Sequence, residues 1–331
     1  MSIRIGVIGL GMMGRHHARV AREVRGFELV AVADALGDPH GVAGPLPLYS
    51  SVADLIAHGI DAAVVAVPTH LHEEVGGQLA AAGIHALIEK PVAHSLEAGE
   101  RLVEAFESRG LTGAVGHIER FNPALMSLRK RLDSGDLGEV YQVHTRRQGP
   151  FPARIADVGV MKDLGSHDVD LTAWLARADF KHVSAQTTFR SGREHEDMVS
   201  ISAKLSNGVM TNHLVNWLTP FKERLTIVTG ERGAFVADTL TGDLTFYENG
   251  TVATEWEAVT SFRGVSEGTV TRFQLEKREP LKVEHEAFRD RILGKPSEAV
   301  TLREGLQVLR VCEAALEAAS TETTVLVSTK A

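Results

Sequence analysis

The near-continuous apolar run Ile3 to Ile8 leads straight into Gly9-Leu10-Gly11-Met12-Met13-Gly14, and no other stretch of the chain restricts its fold so tightly. A strand before this glycine pattern and a helix after it form the entry to a βαβ unit. Gly9 permits the sharp turn, Gly11 leaves room for a pyrophosphate near the N–H groups of the helix start, and Gly14 lets helix and strand pack closely. Met12 and Met13 lie inside the same loop and join the expected cofactor-binding residues. Asp34 closes the second apolar run about 20 residues after Gly14, where a carboxylate accepts both ribose hydroxyls of NAD and repels a 2′-phosphate. Positions 35 to 37 carry no Lys or Arg, so NAD is expected over NADP. His16 and His17 are read as exposed polar residues of the first helical turn, and no metal site is expected.

The first 120 residues alternate strand-like and helix-like stretches. Predicted strands are Ile3 to Ile8, Glu28 to Ala33, Ala62 to Val67, His85 to Ile88 and Thr112 to Val115, apolar enough to be covered on both faces of a parallel sheet. Predicted helices span Leu71 to Ala82 and Leu96 to Ser108, with Gly83 and Gly110 just past their ends as caps. Beyond about residue 138 the pattern turns to alternating strands and tight turns, which implies antiparallel pairing. Asn207-Gly208 is expected to join Met198 to Leu205 with Val209 to Trp217, and Asn249-Gly250 to join Leu244 to Tyr247 with Thr251 to Trp256, each as a two-residue hairpin. Helices over Asp157 to Leu175, Val283 to Leu293 and Leu302 to Ala319 would cover one face of that sheet. The other face would be free for a second subunit, so a homo-oligomer, dimer or tetramer, is expected through it. The reading is an α/β chain: an N-terminal Rossmann domain with a parallel sheet, residues 1–121, and a C-terminal α+β domain on an open, mostly antiparallel sheet, residues 122–331.

Composition excludes several function classes. A formal net charge of −8 is the wrong sign for a nucleic-acid partner. Hydrophobic residues at 44% and charged residues at 24% are ordinary for a globular chain, and no apolar run reaches the roughly 20 residues that span a bilayer. Met1 to Leu10 lacks a basic leader and reads as a strand, so a cytoplasmic location without membrane association is expected. The single Cys312 sits among Leu306, Leu309 and Val311 as a small core residue.

Two further segments carry reactive groups. Glu89-Lys90-Pro91 ends the fourth predicted strand, and ligands of open α/β sheets lie outside the carboxyl ends of strands, which puts Lys90 at the cofactor crevice. Asp163 and His167 stand four apart on one helix face, beside an apolar stripe of Val160, Leu164, Leu171 and Trp174. On spacing alone, His167 is more readily a hydrogen-bonded core residue than a catalyst, and the row Asp163, His167 and Asp170 is a capped helix face before it is a metal triad.

The combination resembles the Gfo/Idh/MocA oxidoreductase family. The resemblance rests on Gly9 to Gly14, Pro68-Thr69-His70-Leu71-His72, Glu89-Lys90-Pro91, and Asp163 with His167, in order and spacing. Two more stretches, Gly116 to Pro123 and Arg146 to Pro152 running on to Gly159, are similar to the branch that includes UDP-N-acetylglucosamine 3-dehydrogenases. The segment Gly159-Val160-Met161-Lys162 departs from the glycine-rich run common in the wider family. The resemblance implies oxidation of a ring hydroxyl of a sugar nucleotide, most simply C3 of a UDP-N-acetylhexosamine, by hydride transfer to NAD. His167 would then be the general base, Asp163 its orienting partner, and Lys90 a donor to the reacting oxygen. Pro68, Thr69 and His72, with Glu89 and Lys90, would border the nicotinamide. Lys90, Asp163 and His167 would also touch the substrate, and Arg120, Asn122, Arg147 and Arg154 could grip its diphosphate, since guanidinium forks suit phosphate oxygens. Two alternatives stay open: a dehydrogenase of a free sugar or inositol, and a non-catalytic NAD-binding sensor on the same fold.

Overall fold

The computed structural model describes residues 2–151, 158–250 and 266–327. The chain divides into two compact units, Met1–Phe121 with Glu279–Arg310, and Asn122–Arg278 with Val311–Ala331.

The first unit holds β1 (Ile3–Ile8), β2 (Phe27–Ala33), β3 (Leu48–Tyr49), β4 (Ala62–Val65), β5 (His85–Ile88) and β6 (Gly113–Val115). They pair in the order β3-β2-β1-β4-β5-β6, all parallel. The order reverses beside β1, which opens a crevice at the carboxyl end of that strand. Connecting helices are α1 (Met12–Glu23), α2 (Val52–Ala57), α3 (His72–Ala81) and α4 (Leu96–Glu107). The short pair β3 and α2 had no clear apolar period in the sequence; α2 is set by its cap, Ser51, whose hydroxyl accepts the N–H of Asp54 at 3.1 Å.

Both faces of this sheet are covered, as its apolar strands require. On one face Ile8, Val65 and Ile88 pack with Leu79, Leu102 and Phe106; on the other Val7, Leu29 and Val64 pack with Val20 and Phe288. The presence of Phe288 corrects an expectation. From the sequence, the helices α7 (Pro280–Ile292) and α8 (Leu302–Thr321) are expected on the antiparallel sheet, yet α7 and the first half of α8 build the parallel one. Leu302, Leu306 and Leu309 join the core of α4, and an added Cβ on Gly113 would lie 2.3 Å from Leu302 Cδ1. The second domain is therefore not the unbroken stretch 122–331, because apolar faces this far along the chain find their partners in the first unit.

The second unit contains α5 (Pro123–Asp133), α6 (Ser166–Ala176) and strands β7 (Val140–Pro150), β8 (Phe180–Thr188), β9 (Met198–Leu205), β10 (Met210–Asn216), β11 (Leu218–Gly230), β12 (Gly233–Asp238), β13 (Asp243–Gly250), β14 (Ser266–Phe273) and β15 (Val325–Leu326). Among the described residues they form one sheet in the order β14-β13-β12-β11-β7-β10-β9-β8-β15, antiparallel except for β7 with β10. Val143, Thr145, Arg147, Val215 and Val228 alternate inward and are buried, while the opposite face carries half-buried Leu214, Leu225, Ile227 and Val236.

Both hairpin expectations change in detail. The β9–β10 loop is Ser206-Asn207-Gly208, closed by Leu205 N–H to Val209 O at 2.9 Å, and only Gly208 is left-handed, at φ +93°. Asn249-Gly250 is no turn: it continues β13, because Asn249 donates from its backbone to Arg232 O and from its side chain to Glu231 O. The strand expected at Thr251 to Trp256 lies outside the described residues.

Inside the second sheet, His213 is enclosed between Thr145 Oγ1, 2.8 Å from Nδ1, and Thr211 Oγ1, 3.1 Å from Nε2. Burial lowers its pKa to about 3, so the folded chain keeps it neutral where the unfolded chain binds a proton near 6.5. Its contribution is complete above about pH 6.5 and is lost as pH falls toward 3. A His213→Gln variant is expected to show a shallower pH dependence of urea unfolding over that window, by up to about 1.4 kcal/mol per pH unit. Identical slopes for the two proteins would contradict this.

Candidate functional site

The glycine loop is built from backbone constraints. Gly9 takes φ +87°, and its N–H donates to Ala33 O at 2.8 Å, which fastens the end of β1 to the end of β2. A Cβ on Gly14 would lie 1.8 Å from the Gly9 carbonyl oxygen, so the first turn of α1 sits directly on the loop. Gly11, by contrast, faces open space: a Cβ there would meet nothing within 4 Å. It is also the N-cap of α1, makes no side-chain cap, and is followed by a first turn without acidic residues. Helices α2 and α4 differ, each having a serine cap and a carboxylate in the first turn. The start of α1 thus keeps both its positive dipole end and the space an anion needs. Met12, at the head of α1, is exposed and Met13 half-buried.

Asp34 is fixed at the tip of β2. Its Oδ2 accepts Leu10 N–H at 2.7 Å and its Oδ1 accepts Leu36 N–H at 2.8 Å. Each oxygen has a second lone pair, so the carboxylate can hold the glycine loop and still accept a pair of hydroxyls. The residues present fit an NAD molecule: a turn open to pyrophosphate and a fixed acceptor for the ribose.

The segment after β5 is held from both sides. Glu89 Oε2 accepts the N–H of Lys90 at 3.1 Å, and Glu89 Oε1 stands 2.8 Å from His17 Nε2. Burial opposes the charge of Glu89, but the His17 hydrogen bond and the nearby Lys90 outweigh it and hold this carboxyl below its usual range. His72 stands between two carbonyls, with Nδ1 2.9 Å from Pro91 O and Nε2 3.1 Å from Val67 O; burial lowers its pKa, and the neutral ring has a single N–H to donate to one of them. One expectation changes: His17 is fully buried, not exposed on the helix. His72, expected beside the nicotinamide, is buried as well. Pro68 is exposed and Thr69 half-buried at the start of the turn Thr69–Leu71.

In the second unit, Asp163 and His167 are both buried on one continuous helical segment. The expected regular helix opens instead with a π turn, Met161–Gly165, which carries Asp163 and hands over to α6 at Ser166. Such turns are rare and favour functional positions, because they swing side chains off the regular helical path. The turn is anchored by Glu196, a residue that no motif or spacing singles out. Its Oε1 accepts Met161 N–H at 2.9 Å and its backbone carbonyl accepts Val160 N–H at 3.1 Å. Gly159 makes room for it, since a Cβ there would fall 2.0 Å from Glu196 Oε2. The unusual Lys162 points its charge into an ion pair with Glu313 at 2.6 Å.

The residues expected to grip a diphosphate have internal partners. Arg147 is buried and donates from Nε to Asp168 Oδ1 at 2.7 Å, so it braces the residue next to His167. Arg120 is buried and donates to Glu304 Oε1 at 2.9 Å, while Glu304 Oε2 also accepts the N–H of Thr301 at the start of α8. Asn122 caps α5 through Ala124 N–H and donates to Thr239 O. All three are thus held by partners within the protein, and Arg154 lies outside the described residues. No group of three or more potential metal ligands occurs among the described residues, and none of their helices is long and apolar enough to cross a membrane.

A parallel sheet in this order, with an open glycine turn and a fixed acidic residue on the second strand, defines a dinucleotide-binding unit joined to a second, largely antiparallel one. Comparison with known proteins narrows the class. The model of the oxidoreductase family with an NAD-binding Rossmann fold, Gfo/Idh/MocA, matches residues 3–117, and that of the Gfo/Idh/MocA C-terminal domain matches residues 125–236. The chain belongs to the Gfo/Idh/MocA family and is an NAD-binding dehydrogenase that acts on CH–OH groups. It is 32% identical to a UDP-N-acetylglucosamine 3-dehydrogenase from Acidithiobacillus ferrooxidans, over 86% of this chain and 87% of that protein. It is 34% identical to inositol 2-dehydrogenase 2 from Saccharopolyspora erythraea, over 64% of this chain and 66% of that protein. A solved structure of UDP-N-acetylglucosamine 3-dehydrogenase GnnA from A. ferrooxidans superposes with a TM-score of 0.82 at 27% identity, over 97% of this chain and 99% of that one.

Two glycine substitutions test this geometry. Gly14→Ala drives a methyl group into backbone, and NAD affinity by calorimetry is expected to fall about tenfold or more; wild-type affinity would refute the close packing of loop on helix. Gly159→Ala displaces the Glu196 carboxylate, and the second unit is expected to lose about 1–3 kcal/mol in denaturant unfolding. An unchanged midpoint would remove Glu196 as the anchor of the π turn.

Proposed function

We propose that the protein oxidises a ring hydroxyl of a sugar nucleotide, with C3 of a UDP-N-acetylhexosamine as the substrate position. The observation that carries this reading is the extent of the likeness to UDP-N-acetylglucosamine 3-dehydrogenase. It runs through 87% of that protein's length, whereas the likeness to the inositol dehydrogenase covers 66% of its length. A longer match includes more of the second unit, to which Asp163 and His167 belong.

In this reading NAD supplies the hydride acceptor. His167 takes the hydroxyl proton, because an imidazole can hold either protonation state near neutrality. Asp163, one turn earlier on the same segment, orients the ring. Lys90 donates to the reacting oxygen and favours the negative charge that builds there, and donors fixed in advance are worth about 3 kcal/mol in such steps. The cyclic polyol remains a second reading, favoured by 34% identity to the inositol dehydrogenase. The half-buried Leu214, Leu225, Ile227 and Val236 on the outward face of the second sheet support self-association through that face.

A panel of UDP sugars, free sugars and inositols, read by NADH absorbance, tests the substrate. UDP-N-acetylglucosamine or its C4 epimer is expected to be turned over; reduction of NAD by inositol alone would transfer the assignment to polyols. Lys90→Ala and His167→Gln are each expected to lower kcat about 100-fold or more with NAD affinity kept, and unchanged turnover in either would cancel its role. A monomeric mass by light scattering at all working concentrations would argue against self-association.

A further inference from the structure

His17 in α1 and His285 in α7 belong to one unit and are both fully buried. Their rings stand in series with Glu89. His285 Nε2 is 2.8 Å from His17 Nδ1, His17 Nε2 is 2.8 Å from Glu89 Oε1, and Glu89 Oε2 accepts the N–H of Lys90. Gly116 closes the remaining side: a Cβ there would stand 3.2 Å from Glu89 Cδ and Oε2, so the carboxylate fits a slot made for it.

The direction of this chain follows from counting protons. A neutral imidazole has one N–H and one bare nitrogen. If His285 donates from Nε2 to His17 Nδ1, then His17 donates from Nε2 to the Glu89 carboxylate and every N–H is bonded. The atom left over is His285 Nδ1, which is buried and meets no hydrogen-bond partner among the described residues. In this arrangement it carries only a lone pair, the tolerable state for an orphaned buried atom. Protonating His17, or reversing the chain, puts a hydrogen on that nitrogen with nothing to accept it. Burial also holds His285 well below its ordinary pKa, and so neutral.

We propose that His285 and His17 are positioning residues for Lys90: a one-way hydrogen-bond relay that fixes Glu89 as an immobile carboxylate next to the lysine. The functional half of this inference rests on the reading of Lys90 given above. Glu89 cannot swing away while His17 grips one oxygen, and its other oxygen fixes the backbone from which the Lys90 side chain springs. The relay thus carries the packing of α7, distant in sequence, to the residue assigned to the reacting oxygen.

The test has one readout that needs no substrate and one that does. In the full chain labelled with 15N-histidine, the resonances lost in His17→Gln and in His285→Phe assign the two rings. At neutral pH both are expected as Nε2–H tautomers, His17 with a hydrogen-bonded Nδ1 and His285 with a bare one. An imidazolium or an Nδ1–H tautomer at either ring would overturn the relay. For turnover, His17→Leu removes both donor and acceptor, whereas His17→Gln keeps one of each. The leucine variant is expected to lose on the order of 10- to 100-fold in kcat, with KM values within about twofold. The glutamine variant should recover most of that loss. A leucine variant that melts earlier but keeps its kcat would make the pair merely structural and overturn the positioning role. If the wild-type protein turns over no member of the panel, the reading of Lys90 falls and the positioning role with it, while the nitrogen shifts still decide whether the relay exists.

Discussion

The contact between the Gly9 carbonyl and the Cα of Gly14 is the constraint on which the first unit depends. At a distance that leaves no room for a side chain, it sets α1 against the end of β1. From that position α1 offers its uncapped N-terminus on one side and buries His17 on the other. A bulkier residue at position 14 would move the anion site and His17 together, because both belong to the same rigid helix.

Carboxylates then do the holding. Asp34 fixes the glycine loop, Glu89 fixes Lys90, Glu196 fixes the π turn under Asp163, and Asp168 pairs with Arg147 beside His167. Each accepts hydrogen bonds from a backbone N–H, an imidazole or a guanidinium, the partners that let a desolvated anion keep its charge. The arrangement differs from surface ion pairing, which contributes little. Loss of a partner here would leave a partly or fully buried charge uncompensated, so these groups define positions as much as they add stability.

Much of the cofactor half was legible in the sequence. Gly9, Gly14 and Asp34 announce themselves because their tasks are local: a positive φ, a close approach within a few residues, a strand end. Strands such as Ile3–Ile8 and His85–Ile88 were readable for a similar reason, since a strand covered on both faces is apolar throughout. The rest was not local. Arg120, Asn122 and Arg147 look alike as loop and strand polar residues, whether they face a ligand or brace a helix. Asn249-Gly250 has the composition of a turn, yet two hydrogen bonds to the β11–β12 connection keep it in the strand.

By itself, the sequence determined the existence and order of the βαβ units, the preference for NAD and the family, because short-range sterics and period impose these. Only the tertiary structure decided that α7 and half of α8 return to the first unit, that Glu196 anchors the π turn, and that His285 reaches Glu89 through His17. The physical reason is that an apolar helix face or a buried imidazole specifies the kind of partner it needs, not which of many such partners lies opposite. Packing alone makes that choice.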